Sequence, residues 1–318
     1  MSPGVIRADI GCGAGGYVDA LGAQVVALDA AWSMLELAAD AAPSAWYVQA
    51  DLEALPLRSR GLGGAWSRAS YSHVPRVRLP MALADLHRAT AVDSLLYLDV
   101  RRGDREGARP GDDFPGRFFA EWQPEPLRDV VAGAGFIVDD VDLEEEWIRV
   151  RARRGRTLPD TVGPGMRLLV CGLNPSIYAA DVGVGYARPG NRFWPAAVAA
   201  GLLDRDRDPV DALVRHGVGM TDLVKRATTG ARELSIAEYR DGAARVERLV
   251  RWLQPGAVCF VGLTGWRAAV DPGALAGEQP EEFGGVPAYV MPSTSGANAH
   301  ARPEELAEHL RGAAALSS

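Results

Sequence analysis

Two apolar runs, each followed by a glycine-containing loop, constrain the fold of this chain more than any other feature. The run "GVIRADIG" precedes "CGAGG" near the start of the chain, and the run "MRLLVCGL" precedes "NPS" past its middle. In both halves, further apolar runs of strand length alternate with segments of helical period. Such alternation is typical of mostly parallel sheets covered by helices. We therefore predict an α/β protein with two three-layer α/β/α domains.

A polar segment rich in glycine and proline, "RRGRTLPDTVGPGM", separates the two halves. It has no hydrophobic period, which is typical of a connecting segment. The sequence thus predicts a first domain over residues 1–155, a linker over residues 156–165 and a second domain over residues 166–318. A chain of 318 residues is long enough for two such domains.

The composition limits the class of protein and its chemistry. Hydrophobic residues make up 47% of the chain and charged residues 24%, as in soluble globular proteins. The three cysteines lie far apart, which argues against a disulfide framework, a zinc site and an iron–sulfur cluster, so we expect no metal. There is no apolar stretch of membrane-spanning length and no basic, apolar leader at the start. We expect a cytoplasmic, nucleoid-associated monomer without a membrane partner.

The charge of the chain gives no general sign of nucleic acid binding. The net charge is −7, so any contact with DNA must come from a local basic patch. Candidates for such a patch cluster in the second half, and they are Arg188, Arg192, Lys225, Arg226 and Arg232.

The first glycine loop follows one strand and precedes a helix. Its backbone can approach a ligand closely, and a helix N-terminus favours negative charge. Acidic residues end the next two strands, as Asp29 in "VVALD" and Asp51 with Leu52 in "QADLEALPL". Over about residues 4–153, these motifs resemble class I S-adenosylmethionine-dependent methyltransferases. The resemblance implies a Rossmann-like fold in which the cofactor S-adenosylmethionine is bound by Asp9, Gly11, Gly13, Gly15, Asp29, Asp51 and Leu52.

The resemblance leaves the activity of this half open. No "NPPY" motif and no catalytic cysteine motif of the DNA-methylating families is present, so base methylation by those routes is not supported. The half is either a methyltransferase acting on a small molecule or a degenerate domain kept for structure or docking. Tyr71 and His73 are either acceptor-site groups or ordinary surface residues.

A second set of motifs lies at strand ends of the other half. Asn174 follows a strand, and a carboxamide held there can orient a water molecule without carrying charge. In "GVGYARPGNRFWP", Tyr186 lies in a glycine-containing loop where its ring can stack on a base. Another strand is followed by the small polar residues of "MPSTSGANAH", which suit a phosphate or an intruding loop. Phe193 and Trp194 begin an apolar helix face and are predicted in the core.

Over about residues 165–315, four motifs in the right order resemble the mismatch-specific uracil/thymine DNA glycosylases of the uracil-DNA glycosylase superfamily. They are "GLNPS", "GYARPGNRFWP", "GMTDLVKRATTGARELS" and "MPSTSGANAH". The resemblance implies that Asn174 holds the hydrolytic water and that a uracil-DNA glycosylase fold presents a base pocket. That pocket would comprise Leu173, Ser176, Tyr186 and Asn191. The DNA contacts would be Arg188, Lys225, Ser293, Thr294, Ser295, Gly296, Ala297 and Asn298.

The implied reaction is hydrolysis of the N-glycosidic bond of uracil, thymine or a modified pyrimidine mispaired with guanine in double-stranded DNA. No cofactor and no lysine nucleophile are implied, so the product is an abasic site, formed slowly because Asn174 carries no charge. Ser176 stands where strict uracil glycosylases carry a tyrosine that excludes thymine, so larger pyrimidines are expected to enter. His300 is open between a phosphate contact and a surface role, as are Arg188 and Arg192. Two alternatives remain: a small-molecule methyltransferase with a vestigial glycosylase half, and a protein that only binds damaged DNA.

Overall fold

The structure, a computed structural model, divides into two compact units between Gly155 and Arg156. The described residues are 5–114, 116–296, 298 and 301–317. Ala297 and His300, both named above, therefore lie outside the described residues. Each unit is described by itself below.

The first unit contains nine strands and four helices within the described residues. The strands are β1 (Arg7–Ile10), β2 (Val25–Asp29), β3 (Trp46–Gln49), β4 (Leu62–Arg68), β5 (Thr90–Arg101), β6 (Glu106–Ala108), β7 (Phe118–Ala120), β8 (Phe136–Leu143) and β9 (Trp147–Arg154). The helices are α1 (Val18–Leu21), α2 (Trp32–Ala41), α3 (Leu79–Ala89) and α4 (Pro124–Gly133). Short 3₁₀ helices span Ser70–His73 and Arg76–Arg78.

Seven of these strands form one sheet in the order β3-β2-β1-β4-β5-β9-β8. The first five are parallel, whereas β9 and β8 form the antiparallel hairpin predicted from the sequence. The order of β3, β2, β1, β4 and β5 is that of a doubly wound α/β sheet. The α/β prediction for this half is confirmed.

Helices cover this sheet unevenly. Register pairing places Ala27, Asp9, Trp66 and Tyr97 on one face. At β2, that face is buried by α1 and α2. At β4 and β5 it borders an open depression of about 580 Å³, and the rings of Trp66 and Tyr97 stack there at 3.8 Å. Complete coverage of both faces, as predicted, is therefore not found among the described residues, since no described helix fills this depression.

The second unit contains five strands and six helices within the described residues. The strands are β10 (Leu168–Gly172), β11 (Val218–Asp222), β12 (Ala257–Val261), β13 (Gly277–Glu278) and β14 (Ala288–Met291). The helices are α5 (Ile177–Val182), α6 (Phe193–Ala199), α7 (Pro209–His216), α8 (Ile236–Leu253), α9 (Leu263–Ala269) and α10 (Pro303–Ala315), with a 3₁₀ helix at Ala231–Glu233.

The sheet of the second unit has the order β11-β10-β12-β14-β13, parallel except for β13. Alternation along β12 sends Cys259 to one face, against α6 and α10, and Phe260 to the other, against Trp266 of α9. Phe193 and Trp194 are 0% and 1% exposed, so their prediction as core residues is confirmed. A helix-capping box at Ser235 and Glu238 begins α8 as predicted.

Residues 156–165 do not form the linker predicted from the sequence. Leu158, Asp160 and Val162 are buried, and Thr161 pairs with Met220 beside β11. A carboxylate such as Asp160 is almost never buried without a cation beside it. Here the two cations are Lys225 and Arg245, which lie far along the chain. The segment belongs to the second unit.

Candidate active site

A cavity of about 230 Å³ lies at the carboxyl ends of β10, β11, β12 and β14. Parallel strands bring their carboxyl ends to one edge of the sheet, so polar residues that follow different strands meet there. The predicted site residues that line the cavity are Leu173, Asn174, Ser176, Tyr186, Arg188, Asn191, Ser293, Thr294 and Ser295. These predicted residues come from three of the four motifs singled out in the sequence, and the fourth motif also reaches the cavity through Asp222 and residues 228–231.

The orientation of the Asn174 carboxamide is fixed by three acceptors. Its Nδ2 lies 2.8 Å from Thr228 Oγ1, 2.9 Å from the Arg226 carbonyl and 3.2 Å from the Pro175 carbonyl. Only the nitrogen can donate to oxygen atoms, so these contacts distinguish the two ends of the amide. Oδ1 accepts no hydrogen bond from the described residues and remains available to a water molecule.

The loop that holds Asn174 is itself anchored. The Arg226 guanidinium lies 2.7 Å from Glu238 Oε1 in the capping box of α8. This guanidinium, with the bonds from Ser235, lowers the pKa of Glu238 to about 2. Arg226 was predicted as part of a DNA-binding patch. Its guanidinium instead forms an ion pair with Glu238, and its backbone carbonyl accepts a hydrogen bond that orients Asn174.

Ser176 has a structural role that the sequence did not reveal. Its Oγ accepts a hydrogen bond from Ala179 N at 3.1 Å, and it is the N-cap of α5. Leu173 packs closely against Gly265 of α9. A Cβ atom at Gly265 would lie only 2.7 Å from Leu173 Cδ1. Both residues line the cavity as predicted.

Tyr186 presents an aromatic wall to the cavity. Its ring stacks on Phe193 with centroids 4.2 Å apart and an interplanar angle of 22°. Phe193 thus occupies one face of the ring and leaves the other for a planar ligand. Burial raises the pKa of the phenol well above its ordinary value, and the buried Oη has no hydrogen-bond partner among the described residues.

Asn191 has one end of its amide engaged. Its Oδ1 accepts a hydrogen bond from Phe193 N at 2.9 Å, at the start of α6. The Nδ2 group is therefore the end that remains for the cavity. A donor at this position can bind a carbonyl oxygen of a pyrimidine and stabilise negative charge on it.

Arg192 does not extend to solvent as the basic-patch prediction required. Its guanidinium donates to the carbonyls of Ser295 at 3.0 Å, Asn298 at 2.6 Å, and Ala301. We call residues 292–301 the intrusion loop, since the resemblance implies that it enters the DNA helix. Arg192 clamps this loop, and Gly296 packs against the Gly190 carbonyl. Asn298 is also engaged inside the loop, through a 2.9 Å bond to the Ser293 carbonyl.

Lys225, predicted as a DNA contact, has its amine paired inside the second unit. Its Nζ lies 2.8 Å from Asp160 Oδ1, and only 16% of its side chain is exposed. Arg245 holds the other oxygen of Asp160 at 2.7 Å. Burial alone would raise the pKa of Asp160, but Arg245 and Lys225 hold it below its ordinary value. The lysine therefore stabilises the segment formerly interpreted as a linker.

Among the predicted basic residues, Arg188 fits a contact with DNA best. It is exposed at the rim of the cavity and forms no ion pair with a described residue. Arg232 is likewise exposed, but it does not line the cavity.

The glycine loop of the first unit lies at the carboxyl ends of β1 and β2. Asp29 accepts hydrogen bonds from Gly13 N and Ala31 N, both at 2.9 Å, and so braces the loop. A Cβ atom at Gly11 would lie 2.2 Å from Ser70 Oγ, which requires glycine there. Asp51, beyond β3, accepts a bond from Glu53 N at 2.9 Å and is exposed.

Asp9, in β1 directly before this loop, differs from Asp29 and Asp51 because its carboxylate is buried. Its Oδ2 is buried and has no hydrogen-bond partner among the described residues. Burial, and then the nearby charge of Asp29, raise its pKa to about 7. A buried carboxylate without a counterion fits a cationic ligand.

The two proposed acceptor-site groups are not placed for that role. Tyr71 is fully buried, and burial raises the pKa of its phenol. His73 is exposed, but its Nδ1 lies 2.7 Å from the Phe118 carbonyl and its ring packs on Phe119. Both residues belong to the 3₁₀ helix Ser70–His73 that follows β4.

Comparison with known families agrees with this geometry. Residues 159–313 match the model of the uracil DNA glycosylase superfamily, and residues 8–98 match the model of a methyltransferase domain. The chain joins a uracil DNA glycosylase superfamily domain to a methyltransferase domain. The cavity that contains Asn174 thus lies inside the glycosylase domain.

Solved structures similar to this chain include two methyltransferases. A SAM-dependent methyltransferase from Methanosarcina mazei is 15% identical over 49% of this chain and 94% of that chain, with a TM-score of 0.44. An S-adenosylmethionine-dependent methyltransferase from Mesorhizobium loti is 18% identical over 48% of this chain and 91% of that chain, with a TM-score of 0.41.

Several residues that line the glycosylase cavity were not predicted as site residues, and three of them carry arguments about the site. Leu158 lies in the segment interpreted as a linker, and Thr228 and Asp222 lie in a motif quoted only as a whole. Asp222 could have been recognised as an acidic residue at the end of a strand. In the sheet it lies opposite Gly172, two residues before Asn174.

None of the helices in the described ranges has the length and hydropathy to cross a membrane. In the same part of the chain, no group of three or more histidine, cysteine or acidic residues is arranged to hold a metal ion.

Proposed function

We propose that the glycosylase domain hydrolyses the N-glycosidic bond of uracil mispaired with guanine in double-stranded DNA and leaves an abasic site. The observation that carries the proposal is Asn174, whose Nδ2 is bound to three oxygen atoms while Oδ1 stays available at a cavity walled by Tyr186. An acceptor fixed in this way orients a water molecule toward a bound reactant.

The cavity supports a single base as the ligand. Its volume of about 230 Å³ is below the range of about 300–1,000 Å³ that is usual for larger ligands. A nucleotide must leave the base stack to bring its glycosidic bond into such a cavity. The open face of Tyr186 then stacks on the base, and Asn191 Nδ2 donates to one of its carbonyl groups.

Bond cleavage follows from these contacts. As the bond from C1′ to N1 breaks, positive charge develops on the sugar and negative charge on the leaving base. The Asn191 amide stabilises the base, and water oriented by Asn174 Oδ1 attacks C1′. Lys225, the only lysine in the chain, has its amine bound to Asp160, so a lyase step through a lysine Schiff base is not expected.

The proposal extends to larger pyrimidines because Ser176 is small. Its hydroxyl is turned to Ala179 N, which leaves no bulky group at this place in the cavity. We therefore expect thymine or an ethenocytosine adduct opposite guanine to be excised more slowly than uracil.

The experiment compares duplexes that carry one labelled lesion. The full chain is incubated in excess over G·U, G·T, G·ethenocytosine and G·C duplexes, and abasic sites are cleaved with alkali. Strand cleavage that requires alkali is expected for G·U first. Absence of product from G·U contradicts the proposed function, and product from G·U alone contradicts the role given to Ser176.

A second function is favoured by Asp9 in the methyltransferase domain. We infer that this domain binds S-adenosylmethionine, which supplies a methyl group when bound. The cofactor carries a sulfonium and an ammonium group, and Asp9 Oδ2 is a buried acceptor without a partner among the described residues. Asp9, Asp29 and the loop at Gly11, Gly13 and Gly15 would hold it, with Asp51 and Leu52 at the end of the third strand.

A further inference from the structure

One carboxyl group of the glycosylase cavity has no part in the chemistry described so far. Asp222 ends β11, lines the cavity and is only half-buried. Its side chain forms no hydrogen bond or ion pair with a described residue. The nearby cations Lys225 and Arg245 pair with Asp160 instead. The residue therefore needs a role of its own.

The strand explains why Asp222 lacks a cation. Adjacent residues on β11 point to opposite faces, so Thr221 and Asp222 diverge. Thr221 Oγ1 lies 2.6 Å from Asp160 Oδ1, in the group that contains Lys225 and Arg245. Both cations are bound to Asp160 on that side. Only the backbone carbonyl of Asp222 reaches Arg245, at 2.9 Å.

The side chain of Asp222 instead converges with the polar end of Tyr186. A Cβ atom at Gly172 would lie 2.5 Å from Asp222 Oδ1 and 2.9 Å from Tyr186 Oη. Glycine at this position thus leaves room for two polar groups at one place in the cavity. Tyr186 Oη is buried and has no partner among the described residues, so it is available to a polar group of a ligand.

We propose that the Asp222 carboxyl group binds the pairing edge of the extruded pyrimidine, and that it does so in its protonated form. This inference rests on the proposed glycosylase function. Uracil offers an N3–H donor beside a carbonyl acceptor. A neutral carboxyl group matches both, because its carbonyl accepts from N3–H while its hydroxyl donates to the neighbouring oxygen.

An ionised carboxylate would disfavour the same complex. It could accept from N3–H, but its second oxygen would face a carbonyl oxygen of uracil. It would also place negative charge beside a base that becomes anionic as the glycosidic bond breaks. The protonated form is thus favoured both for binding and for bond cleavage.

The surroundings of Asp222 make this form accessible. Burial is the main reason that the pKa of Asp222 is raised to about 6, a net value that includes opposing effects: Lys225 and Arg245 act to lower it, and Asp160 acts to raise it. The other titratable groups near it, Tyr186 and Cys171, have pKa values raised by burial and are neutral across this range. Protonation of Asp222 should therefore be lost as the pH rises through about 6.

The test is the pH dependence of single-turnover uracil excision from a G·U duplex. For the wild-type chain, the rate constant is expected to fall about tenfold for each pH unit above the pKa of Asp222. Asp222→Asn keeps one donor and one acceptor at all pH values, and its rate should be nearly constant from pH 5 to 8. Asp206→Asn, at an exposed carboxylate that does not line the cavity, should keep the wild-type profile.

If Asp222→Asn fails to fold, its pH profile cannot be measured. A second test therefore changes the substrate and keeps the wild-type chain. A duplex with 3-methyluracil opposite guanine lacks the N3–H donor and carries a methyl group there, so at pH 5 the wild-type chain should excise it much more slowly than uracil. Equal pH profiles for wild type and Asp222→Asn, or equal excision rates for uracil and 3-methyluracil at pH 5, would overturn the inference and leave the proposed function intact. No excision of uracil at any pH would contradict the proposed function itself.

Discussion

Asn174 shows how a single side chain acquires a defined orientation. A carboxamide can present either end to a cavity, and the sequence indicates only that it follows a strand. Thr228, buried at 3% exposure, accepts from Asn174 Nδ2 and donates to the Gly230 carbonyl at 3.1 Å. Thr228 is a positioning residue for Asn174, although three helices (α5, α6 and α7) and the strand β11 lie between the two residues in the chain.

We expect Thr228→Val to slow uracil excision without weakening DNA binding. A neutral hydrogen bond contributes about 0.5–1.5 kcal/mol, which corresponds to a loss in rate of roughly 3- to 10-fold. The measurement is the single-turnover rate constant together with the dissociation constant for a G·U duplex. Thr228→Ser retains the hydroxyl and should restore the rate. A lower affinity with an unchanged rate would contradict the positioning role.

The residues that were predicted and those that were missed differ in a physical way. Asn174, Tyr186 and Asn191 lie in glycine- and proline-marked loops, so local sequence identifies them. Asp222 looks like an ordinary strand-end acid, because its unpaired state depends on cations that are bound to Asp160. Lys225 looked like a DNA contact because its counterion lies 65 residues away along the chain.

At the scale of elements, the intrusion loop depends on a clamp from a neighbouring helix. Arg192, next to the start of α6, binds three carbonyl groups of residues in that loop. A loop without regular secondary structure leaves carbonyl groups unpaired, and a guanidinium can satisfy several of them at once. The described part of the loop is therefore held by Arg192 as well as by the bond from Asn298 to the Ser293 carbonyl.

Arg192→Met should loosen the intrusion loop while the sheet stays folded. Faster amide hydrogen exchange is expected within residues 293–298, with a loss of affinity for duplex DNA of about tenfold, since each lost bond to a charged donor costs about 1.5–3 kcal/mol in the loop. Arg188→Met is the matched control. It should leave exchange in the loop unchanged and reduce the salt dependence of DNA binding by about one phosphate contact. Unchanged loop exchange in Arg192→Met would contradict the clamp.

Element type was largely predictable, and element boundaries and the covering of sheets were not. The hydrophobic period indicated most strands, and the capping box marked α8. The short helix α5 was hidden in a glycine-containing loop, because its start depends on the Ser176 cap and not on a periodic pattern. The open face at β4 and β5 could not be predicted either, since local sequence does not reveal which neighbours pack on a strand.

At the scale of the whole molecule, two α/β units carry separate chemistry. The fold class followed from the repeated alternation of strands and helices, and the end of the first unit from the polar segment rich in glycine and proline. The predicted linker was wrong because glycine and proline content says nothing about a buried ion pair such as that of Asp160. How the first unit binds its ligand depends on Asp9, a residue of the glycine loop that the sequence alone does not distinguish from Asp29.

We expect S-adenosylmethionine to bind the full chain more tightly as the pH rises toward about 7. Asp9 has a pKa raised to about 7, so it is largely neutral below that pH and ionised above it. A cationic ligand prefers the ionised form, and affinity should increase from pH 5.5 to 7.5 and then level off. Titration calorimetry measures this change. Asp9→Asn should bind weakly at all pH values, whereas Asp40→Asn, exposed on α2, should behave as wild type. No binding by the wild-type chain at any pH would contradict the assignment.

The central claim is that Asn174 orients the hydrolytic water, and the most direct measurement is the single-turnover rate of uracil excision from a G·U duplex. The wild-type chain and Asn174→Ala are compared at one pH, with equal melting temperatures and equal duplex affinities as controls. Loss of the oriented acceptor should lower the rate by about a hundredfold or more. An Asn174→Ala protein that folds, binds and excises uracil at the wild-type rate would contradict the account.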